Sequence, residues 1–210
     1  MERVDVLVVG GGIAGLASAW WLARTPGLRI ALLERAPRCG TGSSGRSAAI
    51  LRTFGADPLL NALARAGAAH LRRPGALAAE ALVDGRGLAL GAGARAAAGL
   101  RAALADGEHG GRELAPAAWR ALAPHSTVAP ELALSFPGDG CIDVDGLLAA
   151  LERGLRAAGV QLATGCEVRE LLRAGARIEG VRLADGRELR AETVVLAAGG
   201  WAGALGRRAG

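Results

Sequence analysis

The stretch that most restricts the fold of this chain is its amino terminus, where a short apolar segment runs directly into three glycines. Val4–Val9, VDVLVV, is β-branched and almost wholly apolar, which is typical of a strand buried on both faces of a parallel sheet. GGGIAG follows at residues 10–15, and residues 13–24 have the composition of a helix that ends before Pro26. RIALL at residues 29–33 predicts a second buried strand, so the segment indicates a βαβ unit and an α/β fold.

The glycines match the G-x-G-x-x-G fingerprint of dinucleotide-binding folds, and each has a definite task. Gly10 permits the tight turn, Gly12 lets the backbone approach a pyrophosphate, and Gly15 lets the helix pack closely on the strand. The N-terminus of the helix, at Ile13 and Ala14, offers free N–H groups and a partial positive charge to the phosphates.

An acidic residue closes the second strand, about twenty residues beyond the last glycine, as the fingerprint requires. Glu34 is expected to accept hydrogen bonds from ribose hydroxyls and to repel a 2′-phosphate, which disfavours NADP. NAD and FAD both satisfy this pattern, so the βαβ unit leaves the choice between them open.

A second glycine-rich segment, GTGSSGRS at residues 40–47, has the frame of the phosphate loop G-x-x-x-x-G-K-[ST], but Arg46 replaces the lysine. A phosphate loop lies directly between its strand and its helix, whereas five residues, RAPRC, separate this segment from the strand. No convincing Walker-B strand follows, and ALVD at residues 81–84 is the nearest imitation. A nucleoside-triphosphate hydrolase is therefore disfavoured.

The net charge of +5 suggests nucleic-acid binding until the basic residues are inspected. All 25 are arginines, dispersed among acids and without the aromatic pattern that single-strand binders use for stacking. We therefore expect no nucleic-acid partner. With 51% apolar residues in a chain of 210, a sizeable core is expected.

The cysteines and histidines show no disulfide or metal-ligand spacing, so we expect no metal site and reduced thiols in the cytoplasm. The apolar run at the N-terminus is broken by glycines, so neither a signal peptide nor a membrane span is expected. The cysteines and histidines of the chain are Cys39, Cys141, Cys166, His70, His109 and His125.

Two segments together, DVLVVGGGIAGLASAWWLA and ALLERAPRCGTGSSGRSAA, resemble the amino-terminal half of the D-amino-acid oxidase superfamily of FAD-dependent amine oxidoreductases. That superfamily includes glycine and sarcosine oxidases, and SSGRSAA with FGADPLLNALARAGAAHL most resembles its D-arginine dehydrogenase-like members. The resemblance implies FAD as the cofactor and a loop at residues 40–47 that runs along its flavin side. It also implies that Ser44, Gly45, Arg46 and Ser47 contact FAD and that Arg35 lies beside the adenosine.

The later segment FPGDGCIDVDGLLAALERGLRAAGVQLATGCEV continues the resemblance. Asp145 is predicted to cap a helix at residues 146–158, which Gly159 ends, and residues 160–163 are predicted to return as a strand. A β-meander is expected at residues 167–190, with its turn at ADGR, followed by the buried strand TVVLA at residues 193–197.

The segment AAGGW at residues 197–201 resembles the second glycine turn of the family, which packs close to the cofactor. The resemblance implies cofactor contacts at Ala198, Gly199 and Trp201, and it places the backbone at Val168 against the adenine.

The implied architecture is a Rossmann-like FAD-binding domain formed by residues 1–73 and 139–210. Residues 74–138 are then the beginning of an inserted α+β substrate-binding domain, with helices at residues 57–71 and 94–105 and a helix-plus-proline segment at 113–124. Proteins of the family are substantially longer, so the chain is expected to be C-terminally truncated and to lack the arginine that clamps a substrate carboxylate.

The implied function is oxidation of the C–N bond of an amino acid or amine, a small-molecule substrate, by hydride transfer to FAD. The imine would hydrolyse in water, and oxygen or a quinone of the respiratory chain would accept the electrons. No catalytic residue is identified, and Ile50 stands where the D-arginine dehydrogenase-like members have a histidine. Two alternatives stay open: a truncated non-catalytic chain that binds FAD or a nucleotide, and a dehydrogenase of 2-hydroxy acids or glycerol 3-phosphate.

Overall fold

The computed structural model describes residues 3–105 and 110–207, so His109 lies outside the described residues. Two short 3₁₀ helices, Ser44–Arg46 and Gly199–Trp201, accompany the α-helices and strands. In chain order the others are β1 (Val4–Val9), α1 (Ile13–Leu22), β2 (Ile30–Leu33), β3 (Ile50–Leu51), α2 (Pro58–Arg72), β4 (Leu88–Ala92), α3 (Ala94–Ala105), β5 (Arg112–Glu113), α4 (Pro116–Leu122), β6 (Leu132–Phe136), β7 (Gly140–Cys141), α5 (Val144–Ala157), β8 (Gln161–Ala163), β9 (Val168–Ala174), β10 (Arg177–Leu183), β11 (Glu188–Leu196) and α6 (Ala202–Arg207).

The chain divides into two compact units. Unit 1 comprises Met1–Ser47 and Val144–Gly210, and unit 2 comprises Ala48–Asp143. Unit 1 carries a six-stranded sheet in the order β8-β2-β1-β11-β10-β9. Its first four strands are parallel, and the last three form an antiparallel meander that shares β11. The parallel sheet with its β-meander confirms the predicted α/β fold class.

The buried strands β1 and β2 form the centre of unit 1, as their apolar sequences predict. All four residues of β2 are buried, and in β1 only Asp5 is partly exposed. The Asp5 carboxylate accepts hydrogen bonds from the backbone N–H and the guanidinium of Arg29, which holds the pKa of Asp5 below its usual range. The one polar residue of β1 therefore pairs β1 with the start of the neighbouring strand.

The meander and the strand after it differ from the prediction in two respects. The predicted strands at residues 188–190 and 193–197 form one continuous strand, β11, which ends at Leu196. The prediction that residues 193–197 are a buried strand is wrong, because these residues are only partly buried or exposed. Its first part pairs with β10, and its second part pairs with β1 from Ala191 to Leu196. The chain thereby passes from the antiparallel to the parallel part of the sheet without a break. The predicted turn is present at Gly186, whose φ is +87°.

Helix α5 begins two residues earlier than predicted, at Val144, so the expectation that Asp145 caps it is wrong. Asp145 lies inside the first turn, where its charge faces the positive end of the helix dipole. Helix α5 ends at Ala157, one residue before the predicted end, and Gly159 terminates it as predicted. Gly159 has a φ of +76°, and the Val160 N–H donates to the Leu155 carbonyl at 3.0 Å. The buried face of α5 includes Leu148, Leu151 and Leu155.

Unit 2 contains a three-stranded antiparallel sheet, β4-β6-β5, and the two-stranded pair β3-β7. Its core includes stacked Phe54 and Phe136, whose ring centroids lie 4.9 Å apart. Helix α2 begins after Asp57, which accepts from the N–H groups of Leu59 and Leu60 as an N-cap does. Helix α3 matches its predicted range.

A buried carboxylate joins two distant segments of unit 2. Asp139 is 1% exposed and accepts hydrogen bonds from the backbone N–H and the hydroxyl of Thr53, at 3.1 and 2.7 Å. Both carboxylate oxygens therefore have a donor, which is the condition for burying such a group at a tolerable cost.

Candidate nucleotide-binding site

The turn between β1 and α1 is shaped by close approaches of backbone to backbone. Gly10 has a φ of +115°, and a Cβ there would lie 2.3 Å from the Ala197 carbonyl oxygen. A Cβ on Gly15 would lie only 1.8 Å from the Gly10 carbonyl oxygen. Because both neighbours are backbone atoms, neither position tolerates a side chain, and the two glycines set the geometry of the turn.

Gly12 differs from these two glycines because its surroundings are open. A Cβ on Gly12 would meet one atom within 4 Å, the Ser44 hydroxyl oxygen at 3.2 Å. Gly12 is the N-cap of α1 and carries no capping side chain. The first amide of the helix, at Ile13, donates instead to the Ser44 hydroxyl at 2.9 Å. The N-terminus of α1 is therefore approachable by a ligand oxygen.

Glu34 is oriented by two backbone amides. Its carboxylate accepts from the Gly11 N–H at 2.6 Å and from the Ala36 N–H at 2.8 Å, one at each oxygen. Each oxygen retains a further lone pair that a hydroxyl could use. The two amides hold the carboxylate at the carboxyl end of β2, next to the glycine turn.

Gly11 is a site residue that the fingerprint does not identify, because it occupies a variable position of the motif. A Cβ there would lie 2.6 Å from the Cys39 sulfur and 2.9 Å from the Glu34 Cβ. The only signal in the sequence is the run of three consecutive glycines, and Gly11 must be small because Cys39 and Glu34, far along the chain, pack against it.

The second glycine-rich loop is docked on the first by hydrogen bonds. The Gly40 N–H donates to the Gly11 carbonyl at 2.9 Å, and the Gly45 N–H donates to the Gly40 carbonyl at 2.8 Å. A Cβ on Gly45 would lie 2.4 Å from that carbonyl oxygen, so Gly45 acts by its small size. Together with the Ser44 contact, these bonds place the loop beside the α1 N-terminus.

Cys39 lies where the two glycine loops meet. Burial, and then the charges of Glu152 and Glu34, raise the pKa of its thiol to about 12. The thiol therefore stays protonated at neutral pH, and Cys39 is suited to packing rather than to nucleophilic chemistry.

A further turn follows β11 at the same edge of the sheet. The Ala197 N–H donates to the Val9 carbonyl at 2.8 Å, and Gly199, with a φ of +54°, begins the 3₁₀ helix that ends at Trp201. The Arg35 guanidinium stacks on the Trp201 ring, 3.6 Å from its centroid. The loops after β2 and β11 are thus in contact through these two side chains.

These features of unit 1 surround one cavity of about 950 Å³, within the range of small-molecule sites. Gly15, Gly45 and Ser47 are the predicted site residues that do not line it. Lining residues that were not predicted include Ala36, which lies between β2 and the second loop, and Gly40, Thr41 and Ser43, which lie within that loop. The predicted residues in the lining are Gly10, Gly12, Ile13, Ala14, Glu34, Arg35, Ser44, Arg46, Val168, Ala198, Gly199 and Trp201.

The chemistry of this lining suits a dinucleotide. A helix N-terminus, serine hydroxyls and the Arg46 guanidinium are donors for an anionic pyrophosphate, and the Glu34 carboxylate is an acceptor for a ribose diol. Within residues 3–105 and 110–207, no group of three or more His, Cys, Asp or Glu side chains is placed to hold a metal ion. In the same residues, no helix is both long and apolar enough to cross a membrane.

The sequence also matches a family model, described as FAD dependent oxidoreductase (DAO), over residues 5–210. The chain belongs to this family. The predicted family and the predicted cofactor are thereby confirmed, since the DAO family is FAD-dependent.

Solved structures of other proteins share the fold of this DAO family chain. Glycine oxidase from Geobacillus kaustophilus is 27% identical, with a TM-score of 0.78 over 99% of the chain. NikD, an unusual amino acid oxidase essential for nikkomycin biosynthesis, is 29% identical, with a TM-score of 0.75 over 96%. L-proline dehydrogenase from P. horikoshii, at 21% identity and a TM-score of 0.81 over 99%, shows the fold alone.

The DAO family chain is shorter than these proteins. The match covers 58% of the glycine oxidase, 56% of the proline dehydrogenase and 52% of NikD.

Proposed function

We propose that the chain binds FAD in the cavity of unit 1, in support of the oxidation of an amino acid or amine. The observation that carries the proposal is the position of Glu34. Two amides fix its carboxylate beside the glycine turn, in the same cavity as the open N-terminus of α1. An anion site next to an acceptor for a diol matches the pyrophosphate and ribose of a dinucleotide.

Each part of the lining has a proposed task. The pyrophosphate would lie at the α1 N-terminus, between Gly12 and the Ser44 hydroxyl, with the charge of Arg46 close by. The adenosine ribose would bond to Glu34, and the backbone at Val168 would face the adenine. The turn at residues 198–201 would pack against the cofactor from the other side.

The proposed reaction is oxidation at a C–N bond. When bound, FAD would supply the two-electron acceptor that this oxidation needs. The names of two neighbours that are more than 25% identical, a glycine oxidase and an amino acid oxidase, support the substrate class. A quinone of the respiratory chain as electron acceptor, the inserted substrate domain at residues 74–138 and the cytoplasmic location also stay predictions.

The first experiment measures cofactor retention. The purified chain is mixed with FAD and desalted, and the flavin absorbance that remains is compared with that of the Gly12→Val variant. We expect the parent to retain flavin and the variant to lose it, because the branched side chain would fill the space at the α1 N-terminus. Gly99→Val, at a helix position where nothing lies within 4 Å of an added Cβ, is the matched control.

Two further measurements separate binding from chemistry. A Glu34→Ala variant should bind FAD more weakly than the parent, since a ribose acceptor is lost. Glycine and D-amino acids are then offered to the FAD-loaded protein with a redox dye, and ammonia is measured as the product. A parent chain without flavin after desalting would refute the binding proposal, whereas bound flavin without ammonia would refute only the proposed substrates.

A further inference from the structure

The stack of Arg35 on Trp201 joins two loops that the sheet keeps apart. Strands β2 and β11 lie on opposite sides of β1, so their carboxyl ends are about 10 Å apart. Arg35 follows β2 by two residues, and Trp201 follows β11 by five. The contact between their side chains therefore spans the end of β1, where Gly10 begins the glycine turn.

This pair stands at the rim of the cavity rather than in its floor. Both residues belong to the lining, yet Trp201 is 55% exposed and Arg35 is exposed as well. Arg35 also follows directly on Glu34, the proposed ribose acceptor. If the ribose binds at Glu34 as proposed, this solvent-exposed pair lies beside the adenosine end of the cavity.

We propose that Arg35 and Trp201 form a clasp that retains the adenosine half of the cofactor, and that the clasp opens when the nucleotide enters or leaves. The inference rests on the proposed function. A stack of this kind at an exposed site is weak, and its loss corresponds to about a two- to five-fold change in a rate. The clasp can therefore open readily, and its removal has a measurable effect.

The chain contains a matched control for this interaction. The Arg24 guanidinium stacks on Trp20 and Trp21, at 3.7 and 4.0 Å from the two ring centroids. These three residues do not line the cavity, and Trp21 is 54% exposed, much like Trp201. Arg24→Met thus removes the same kind of stack from another part of unit 1.

The test measures nucleotide exchange by stopped flow in the parent and in Arg35→Met, Trp201→Leu, Trp201→Phe and Arg24→Met. Protein loaded with ADP is mixed with excess FAD, and protein loaded with FAD is mixed with excess ADP, while flavin fluorescence is followed. We expect Arg35→Met and Trp201→Leu each to release both nucleotides about two- to five-fold faster. The same two variants, free of nucleotide, should also bind FAD faster by a similar factor. Their Kd for FAD should therefore change less than their release rate.

The control variants are expected to release nucleotide at rates different from those of Arg35→Met and Trp201→Leu. Trp201→Phe keeps an aromatic face and should be intermediate, and Arg24→Met should behave like the parent. Melting temperatures measured without nucleotide verify that the Arg35→Met and Trp201→Leu variants remain folded. Each variant changes a different exposed residue, so the two test the pair independently.

Three results would overturn the clasp while leaving FAD binding intact. Release rates equal to those of the parent would exclude any role of the pair in retention. Faster release of FAD without faster release of ADP would place the effect on the flavin half. Faster release of both nucleotides with an unchanged rate of FAD uptake would show that the pair contacts the bound nucleotide but does not open and close over it. A parent chain that binds neither nucleotide would instead refute the proposed function, and the clasp with it.

Discussion

Unit 1 and unit 2 differ in the length and burial of their strands, although both contain ladders between distant segments, such as Val4 with Ala191 in unit 1. In unit 1, the buried strands β1 and β2 lie side by side and are joined by one short βαβ connection, and the more exposed strand β11 lies on the other side of β1. In unit 2, Ile50 pairs with Cys141 and Leu88 with Phe136, so each ladder closes a long segment of chain. Among the residues of unit 2 that the structure describes, three of the five strands have only two residues.

This difference explains which parts of the sequence are easy to interpret. A strand buried on both faces is apolar throughout, so its own residues identify it wherever its partner lies. A two-residue strand has no pattern of its own and exists only because a distant segment pairs with it. Function follows the same division, since the proposed site uses residues of unit 1 alone.

The sharpest test of this comparison replaces one glycine in each unit. Gly15→Val should lower the free energy of unfolding by at least about 3 kcal/mol, because the Gly10 carbonyl cannot move away from the new side chain. Gly67→Ala in α2 has nothing within 4 Å of the added Cβ and should raise it by up to about 1 kcal/mol. Urea unfolding measures both, and a tolerated Gly15→Val would show that the turn is not held as described.

A smaller effect is expected when the long-range contact of unit 2 is broken. Asp139→Ala leaves the buried amide and hydroxyl of Thr53 without their acceptor and should cost about 2 kcal/mol of stability. Asp139→Asn keeps one oxygen acceptor and should cost less. We expect FAD retention by unit 1 to be unchanged in both, and loss of flavin in either variant would show that the site depends on unit 2.

A further predicted effect is the response of unit 1 to alkaline pH. The chain has no lysine and no tyrosine, whose titration would otherwise overlap that of Cys39 above pH 9. The pKa of Cys39 rises from 9.0 to about 12 on folding, so the folded state holds a proton that the unfolded state has lost in that window. Stability should therefore fall as the pH rises from 9 towards 12. Urea unfolding at several pH values measures this slope, and a Cys39→Ala variant that keeps the full slope would contradict the assignment.

Much of unit 1 was predictable from the sequence. The periodicity and composition of residues 4–33 predicted β1, α1 and β2 to within two residues, because each carries its own apolar signal. Errors occurred at boundaries that depend on neighbours. Asp145 was predicted to cap α5, but the helix begins at Val144. Two strands were predicted where β11 is continuous, because β11 pairs first with β10 and then with β1.

The sequence by itself determined the βαβ unit, the glycine turn with its acidic partner Glu34, and the family, because these depend on local pattern and residue type. Only the tertiary structure decided that Gly11 must be small, that Ser44 meets the α1 N-terminus, and that Arg35 stacks on Trp201. The reason is physical. Each of these contacts joins residues far apart in the chain, and no periodicity records which distant residue a folded sheet will bring alongside.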